Sequence, residues 1–150
     1  MKRILLAAAF MLVAFPAFGQ SSGFNPTYPP RATAVAVVSS GADTASATAA
    51  IPALVGQTGY ICGFDVSGLG STAGANVTVT VGPLAIAGSN LSYPYVFTAS
   101  AATLNTMLAR NFSPCIPSNA QNTAITVTVP GSAGNTTTNI NVYGYTFPNP

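Results

Sequence analysis

Charge is what this sequence has least of. Only 4% of its 150 residues are Asp, Glu, Lys or Arg, against about a quarter in an ordinary globular chain. Histidine, glutamate and tryptophan are absent, Lys2 is the one lysine, and the acids are Asp43 and Asp65 alone. Each gap removes a class of chemistry. A serine or cysteine nucleophile needs a base beside it, and neither His nor a lysine after position 2 exists to serve. Glycoside hydrolysis wants two carboxylates, so any acid–base proposal must use both aspartates. Zinc or iron sites built on histidine have no ligands, a thiolate site has only Cys62 and Cys115, and a phosphate loop lacks its lysine. The expectation is therefore no catalytic residue, no metal and no cofactor.

What charge there is sits unevenly. Met1-Lys2-Arg3 is a basic start, residues 4–15 are an apolar run, and Ala17-Phe18-Gly19 offers small residues at the positions a signal peptidase reads. The run falls short of the roughly 20 residues that cross a bilayer. Residues 1–19 read as a secretory signal peptide, with no cysteine after the cut to take a lipid. Cleavage removes Lys2 and Arg3 and leaves Arg31 and Arg110 against Asp43 and Asp65, so the formal charge of +2 falls to zero. A neutral mature chain argues for no nucleic-acid partner and no membrane association after cleavage. Its expected location is extracellular or periplasmic, with cell-surface association open.

Residues 20–30 carry three prolines and two aromatics, Phe24 and Tyr28. Proline donates to neither helix nor ladder, so this is an extended arm, a tether or a segment laid on a neighbouring surface. Residues 31–150 then form one domain. Its recurring signal is alternation with period two, broken by Gly, Pro, Asn and Ser clusters, the mark of short half-buried strands. Ala34, Ala36 and Val38 alternate with Val35 and Val37, and Gly41 marks a turn to the Ala45–Ile51 stretch. Tyr60, Cys62, Phe64 and Val66 are expected on one face, with Ile61, Gly63 and Asp65 on the other. Val77, Val79 and Val81 oppose threonines. Leu91, Tyr93, Tyr95 and Phe97 share a face interrupted by Pro94, which favours an edge or a bulge. Ala, Leu and Met cluster over 101–110, where one short helix is expected. Ile125, Val127 and Val129 alternate with threonines, and a last strand from about Thr138 to Phe147 sets Tyr143, Tyr145 and Phe147 opposite Ile140, Val142 and Gly144. About seven or eight such strands indicate an all-β, antiparallel β-sandwich, either jelly-roll or immunoglobulin-like.

Two cysteines in an exported chain have one intramolecular pairing, Cys62–Cys115. Closing a loop of about 54 residues removes denatured-state entropy worth on the order of 4 kcal/mol in the chain-entropy model. The antibody pattern does not follow, because there is no tryptophan and Ser113 stands where that pattern has tyrosine.

The remaining motifs are short. Asp43-Thr44-Ala45 matches the D-[ST]-[GA] triplet of aspartic proteases, but Asp65-Val66-Ser67 does not repeat it. Asp43 reads as a turn aspartate and Asp65 as an outward strand residue, paired with an arginine. Gly68-Leu69-Gly70-Ser71-Thr72-Ala73-Gly74 misses the dinucleotide-loop spacing by one residue. Asn76, Asn90, Asn111 and Asn135 open N-glycosylation patterns that chance supplies in so Asn- and Thr-rich a chain. Tyr143 and Tyr145, with Gly144 leaving room between or behind their rings, are the candidate ligand-binding pair, since sugars stack on aromatic rings.

Two resemblances follow from these residues. Ala47-Thr48-Ala49-Ala50-Ile51-Pro52-Ala53, Gly59-Tyr60-Ile61-Cys62-Gly63-Phe64-Asp65-Val66-Ser67-Gly68, and the later Asn122 to Pro130 with its closing Tyr143-Gly144-Tyr145 resemble small Ala/Thr/Gly-rich β-sandwich proteins of phage and prophage structural genes. That likeness implies a non-enzymatic decoration module, and the signal peptide shifts it toward an exported, surface version. The chain is also similar to bacterial pilin subunits, single-disulfide sandwiches that polymerise by strand addition, with Ala34-Ala36-Val38 as a possible donor. The expected function is a secreted, non-catalytic sandwich with a structural, decoration- or adhesion-like role. Its alternatives are a carbohydrate-binding module using Tyr143 and Tyr145, or a self-assembling fibre subunit. Expected partners are a protein or glycan surface, or further copies of the chain.

Overall fold

The computed structural model describes residues 28–42, 45–69, 73–99, 103–131 and 137–149. The expected signal peptide, the arm up to residue 27, and Asp43 lie outside them. Among the described residues there are eight strands and no helix: β1 Thr33–Ala42, β2 Ala47–Ile51, β3 Gln57–Gly68, β4 Ala75–Gly82, β5 Leu91–Phe97, β6 Leu108–Pro117, β7 Ile125–Val129 and β8 Thr137–Pro148.

They form two antiparallel four-stranded sheets, ordered β1-β8-β3-β6 and β2-β7-β4-β5. The first strand pairs with the last, the second with the seventh, the third with the sixth and the fourth with the fifth. This nesting is the strand order of a jelly-roll. In the immunoglobulin-like order the first two strands share a sheet; here β1 and β2 lie in different ones, which decides between the two expected sandwiches.

Alternation places the core between the sheets. Ala47, Ala49, Ile51, Val79, Val81, Tyr95, Phe97, Ile125, Val127 and Val129 come from one sheet, and Ile61, Phe64, Val66, Leu108, Ile140 and Val142 from the other, all buried in a single cluster. On the opposite face of the second sheet one row is all hydroxyls: Thr48, Thr128, Thr80 and Ser92 lie in register across all four strands, with Thr48 and Thr128 in side-chain contact at 3.2 Å. Threonine supplies polarity there while fitting the pleated backbone.

Three local expectations need correction. The helix over 101–110 does not form in its described part: Leu108 and Arg110 pair with Val66 and Phe64 as the start of β6. Before it, Leu104 bridges Leu69, and the Asn105 backbone donates to the Gly68 carbonyl at 2.9 Å. Ladder pairing over an apolar core outweighs the weak helix propensity of Ala, Leu and Met. Gly41 is not a turn but lies within β1, close against Ala45 and Ala47, where a Cβ would come within 3.1 Å of both. In β3 the faces change partway. The pairing with β8 shifts between Ile61 and Gly63, so Cys62 is the extra residue of a β-bulge. Gly59 and Ile61 face inward before the bulge, Phe64 and Val66 after it. Tyr60 is therefore on the outer face, not beside Phe64 and Val66.

Candidate contact face

The outer face of the β1-β8-β3-β6 sheet gathers the tyrosines. Its registered rows run Ala34, Tyr145, Tyr60, Pro117; then Ala36, Tyr143, Gly63, Asn111; then Val38, Asn141, Asp65, Ala109. The parity of β8 puts Tyr143 and Tyr145 on this face, as the sequence indicates. The bulge at Cys62 adds Tyr60.

In the first row Tyr60 and Tyr145 stack with ring centroids 4.7 Å apart and planes 10° from parallel. Tyr28 meets Tyr145 at 5.4 Å and 64°. The arm thus packs its described aromatic on its own domain. A turn brings it there: Ala32 donates to the Pro29 carbonyl at 3.0 Å, and Arg31 takes a left-handed φ of 72°, uncommon for a residue with a side chain. Burial pushes the Tyr145 phenol up from its ordinary value, and the neighbouring Tyr60 adds to this.

In the second row the Tyr143 ring reaches across β3. A Cβ on Gly63 would collide with the hydroxyl end of that ring, so only glycine at 63 allows the crossing, a cross-strand aromatic covering a strand glycine. The Tyr143 hydroxyl then donates to Asn111 Oδ1 on β6. Gly144 makes no room between the rings: it faces inward, and a Cβ there would run into the Tyr60 carbonyl. Burial raises the Tyr143 phenol, with the Asp65 charge and then Tyr28 adding to it. Asp65 is itself raised by burial. Its expected arginine is not Arg110, whose guanidinium lies 5.2 Å from the centre of the Tyr93 ring and whose strand position registers with inward Phe64.

Cys62 and Cys115 are joined, closing 53 residues of chain between β3 and β6. The bond sits where both strands depart from regular pairing, since Ile61 opposes Ile116 while Gly63 opposes Asn111. It ties the two strands just where the ladder is interrupted.

At one end of the sandwich a concavity of about 380 Å³ is lined by Gly68, Leu69, Leu104, Asn105, Met107 and Asn139 among others. Asn105, buried there, accepts from the Thr98 backbone at 2.9 Å and its hydroxyl at 3.1 Å, and donates to the Leu69 carbonyl at 2.9 Å. It braces the loop. The roles of Gly63 and Asn111 escaped sequence reasoning, because each acts through Tyr143 on a strand far away in the chain, and Asn105 lies in a stretch read as helix.

As to chemistry, Asp65 is the one carboxylate side chain among the described residues, and no three His, Cys, Asp or Glu residues of that set lie close enough to hold a metal ion. Nor is any described helix long and apolar enough to cross a membrane. What the face offers is aromatic rings, amides and a single carboxylate. No protein-family model matches the chain, and no curated protein matches it.

Proposed function

We propose that the protein is an exported, non-catalytic jelly-roll that works by surface contact, in a structural, decoration- or adhesion-like role, through the outer face of the β1-β8-β3-β6 sheet. The observation that carries this reading is the gathering of Tyr28, Tyr60, Tyr143 and Tyr145 on one sheet face beside Asn111 and Asn141. Tyrosine gives large contact area with little conformational entropy to lose, and amides give adaptable hydrogen bonds. The likeness to phage and prophage structural sandwiches supports the same role.

A sugar-binding use of Tyr143 and Tyr145 is less well served, because Tyr145 is already engaged by both Tyr60 and Tyr28. Donation of the Ala34-Ala36-Val38 segment to another subunit, as in pilins, would have to break its complete pairing with β8. Binding of the labelled protein to isolated cell envelopes tests the proposal. Retention should change little with added salt and fall several-fold in Tyr143→Ser, measured at a temperature where both proteins are folded. Turnover of any substrate that disappears in Asp65→Asn, with the fold intact, overturns it, as does retention indifferent to Tyr143→Ser.

A further inference from the structure

Each sheet has two edges, and the four edge strands are not treated alike. β6 carries Arg110, Pro114 and Pro117 and an interrupted ladder. β5 carries Pro94 at its middle. β2 has five residues and stops at Pro52. Proline, charge, brevity and bulges are the devices that keep a sheet edge from pairing with another chain. β1 has none of them. Its ten residues, Thr-Ala-Val-Ala-Val-Val-Ser-Ser-Gly-Ala, contain no proline and no charge, and they register with β8 from Thr33 to Ala42 without a shift.

Along its other side, no backbone hydrogen bond reaches β1 from any described residue. The turn at Pro29–Ala32 takes Tyr28 onto the sheet face, so the described part of the arm does not cover this edge. The outer positions Ala34, Ala36 and Ser40 are small and Val38 is 71% exposed, so an incoming strand meets an uncharged ladder up to Ser40, before Gly41 approaches Ala45 and Ala47.

We propose that a second copy of the chain occupies this edge, with the two β1 strands antiparallel about a two-fold axis at Val38, joining two four-stranded sheets into one of eight. Three observations favour a second copy. A strand paired with itself about a two-fold axis is self-complementary and closes the assembly at two, so no second sequence is needed. The charge after signal cleavage is zero, which leaves no long-range repulsion between copies. Arg31 lies just before β1, and antiparallel pairing separates the two copies of it by roughly 45 Å at about 3.3 Å per residue, whereas parallel pairing would bring them together. Continuing the sheet also continues its outer face, so the tyrosine rows of the two copies lie on the same side of one eight-stranded surface, toward its opposite ends.

The pairing deepens the contact reading above and rests on it, yet the two fail separately, one by oligomeric state and the other by turnover or retention. Sedimentation velocity of the exported protein from about 1 to about 100 µM should show a monomer–dimer equilibrium, because a single shared ladder is a small interface. Val38→Lys should weaken the dimer at least tenfold without changing the melting temperature, and so should Val38→Glu. Mixing the two variants should restore a heterodimer, since opposite charges then face each other across the axis. A wild-type protein monomeric throughout this range overturns the proposal. So does a Val38→Lys variant that dimerises like wild type, or a dimer lost on deleting residues 20–27 but insensitive to Val38→Lys.

Discussion

Gly63 and Gly144 sit on neighbouring strands and exclude a side chain for different reasons. At Gly144 an added methyl would meet the backbone carbonyl of Tyr60, which no rotamer change can move. At Gly63 it would meet the Tyr143 ring first, with the Arg110 carbonyl 2.5 Å away behind it. Gly144→Ala should therefore cost about 2–3 kcal/mol, at the upper end for overpacking. Gly63→Ala should cost less, and part of its loss should return in the Gly63→Ala/Tyr143→Ala double variant. Thermal denaturation of the four proteins checks this, and absence of any recovery would place the strain in the backbone instead. Residue 143 was legible because alternation in β8 fixes its face, while its dependence on Gly63 requires knowing that β3 lies beside β8.

Among the elements, the legible strands are those in which residues of the two faces alternate without a bulge: β2, β4, β5, β7, β8 and the first half of β1. β3 was half legible, since the bulge at Cys62 reverses the faces and leaves no periodic trace. β6 was not legible at all, because Pro114 and Pro117 read as breaks and Ala-Leu-Met reads as helix. Yet β6 is held by the feature read most easily from the sequence, the cysteine pair. The disulfide spans the stretch where the β3–β6 ladder is out of register, so reducing it frees an edge strand whose remaining pairs are few. The double variant Cys62→Ala/Cys115→Ala should lose about 2–4 kcal/mol and on the order of 10 °C in melting temperature. Amide exchange should quicken first along β6, and uniform quickening would show that the bond acts only on the unfolded chain.

For the molecule as a whole, scarcity of charge makes stability nearly blind to solution conditions. Burial raises Asp65 above its ordinary value, so the native form holds that proton more tightly than the unfolded chain does. Stability contributed there is present in acid and declines as pH rises from about 4 through its titration. Tyr95, Tyr143 and Tyr145 are raised too, each by burial first, so stability declines again above about pH 10. Between about pH 6 and pH 9 the chain lacks the groups that ordinarily titrate there, since there is no histidine and both cysteines are bonded. The melting temperature should be level across that interval and across a tenfold change in salt, and a histidine-like inflection near pH 6.5 would contradict this.

The nested pairing also sets an order in time. Chains are made from the amino terminus, and β1 is the first of the described strands to be synthesised, yet its partner β8 is the last of them. The β4–β5 hairpin is the first pair available to close, then β3 with β6 and β2 with β7, and only then β1 with β8. A charge-free strand of ten residues thus waits, exposed on both sides, for almost the whole of synthesis. The same strand that stays open on one side in the finished molecule is the one left longest without shelter while it is being made.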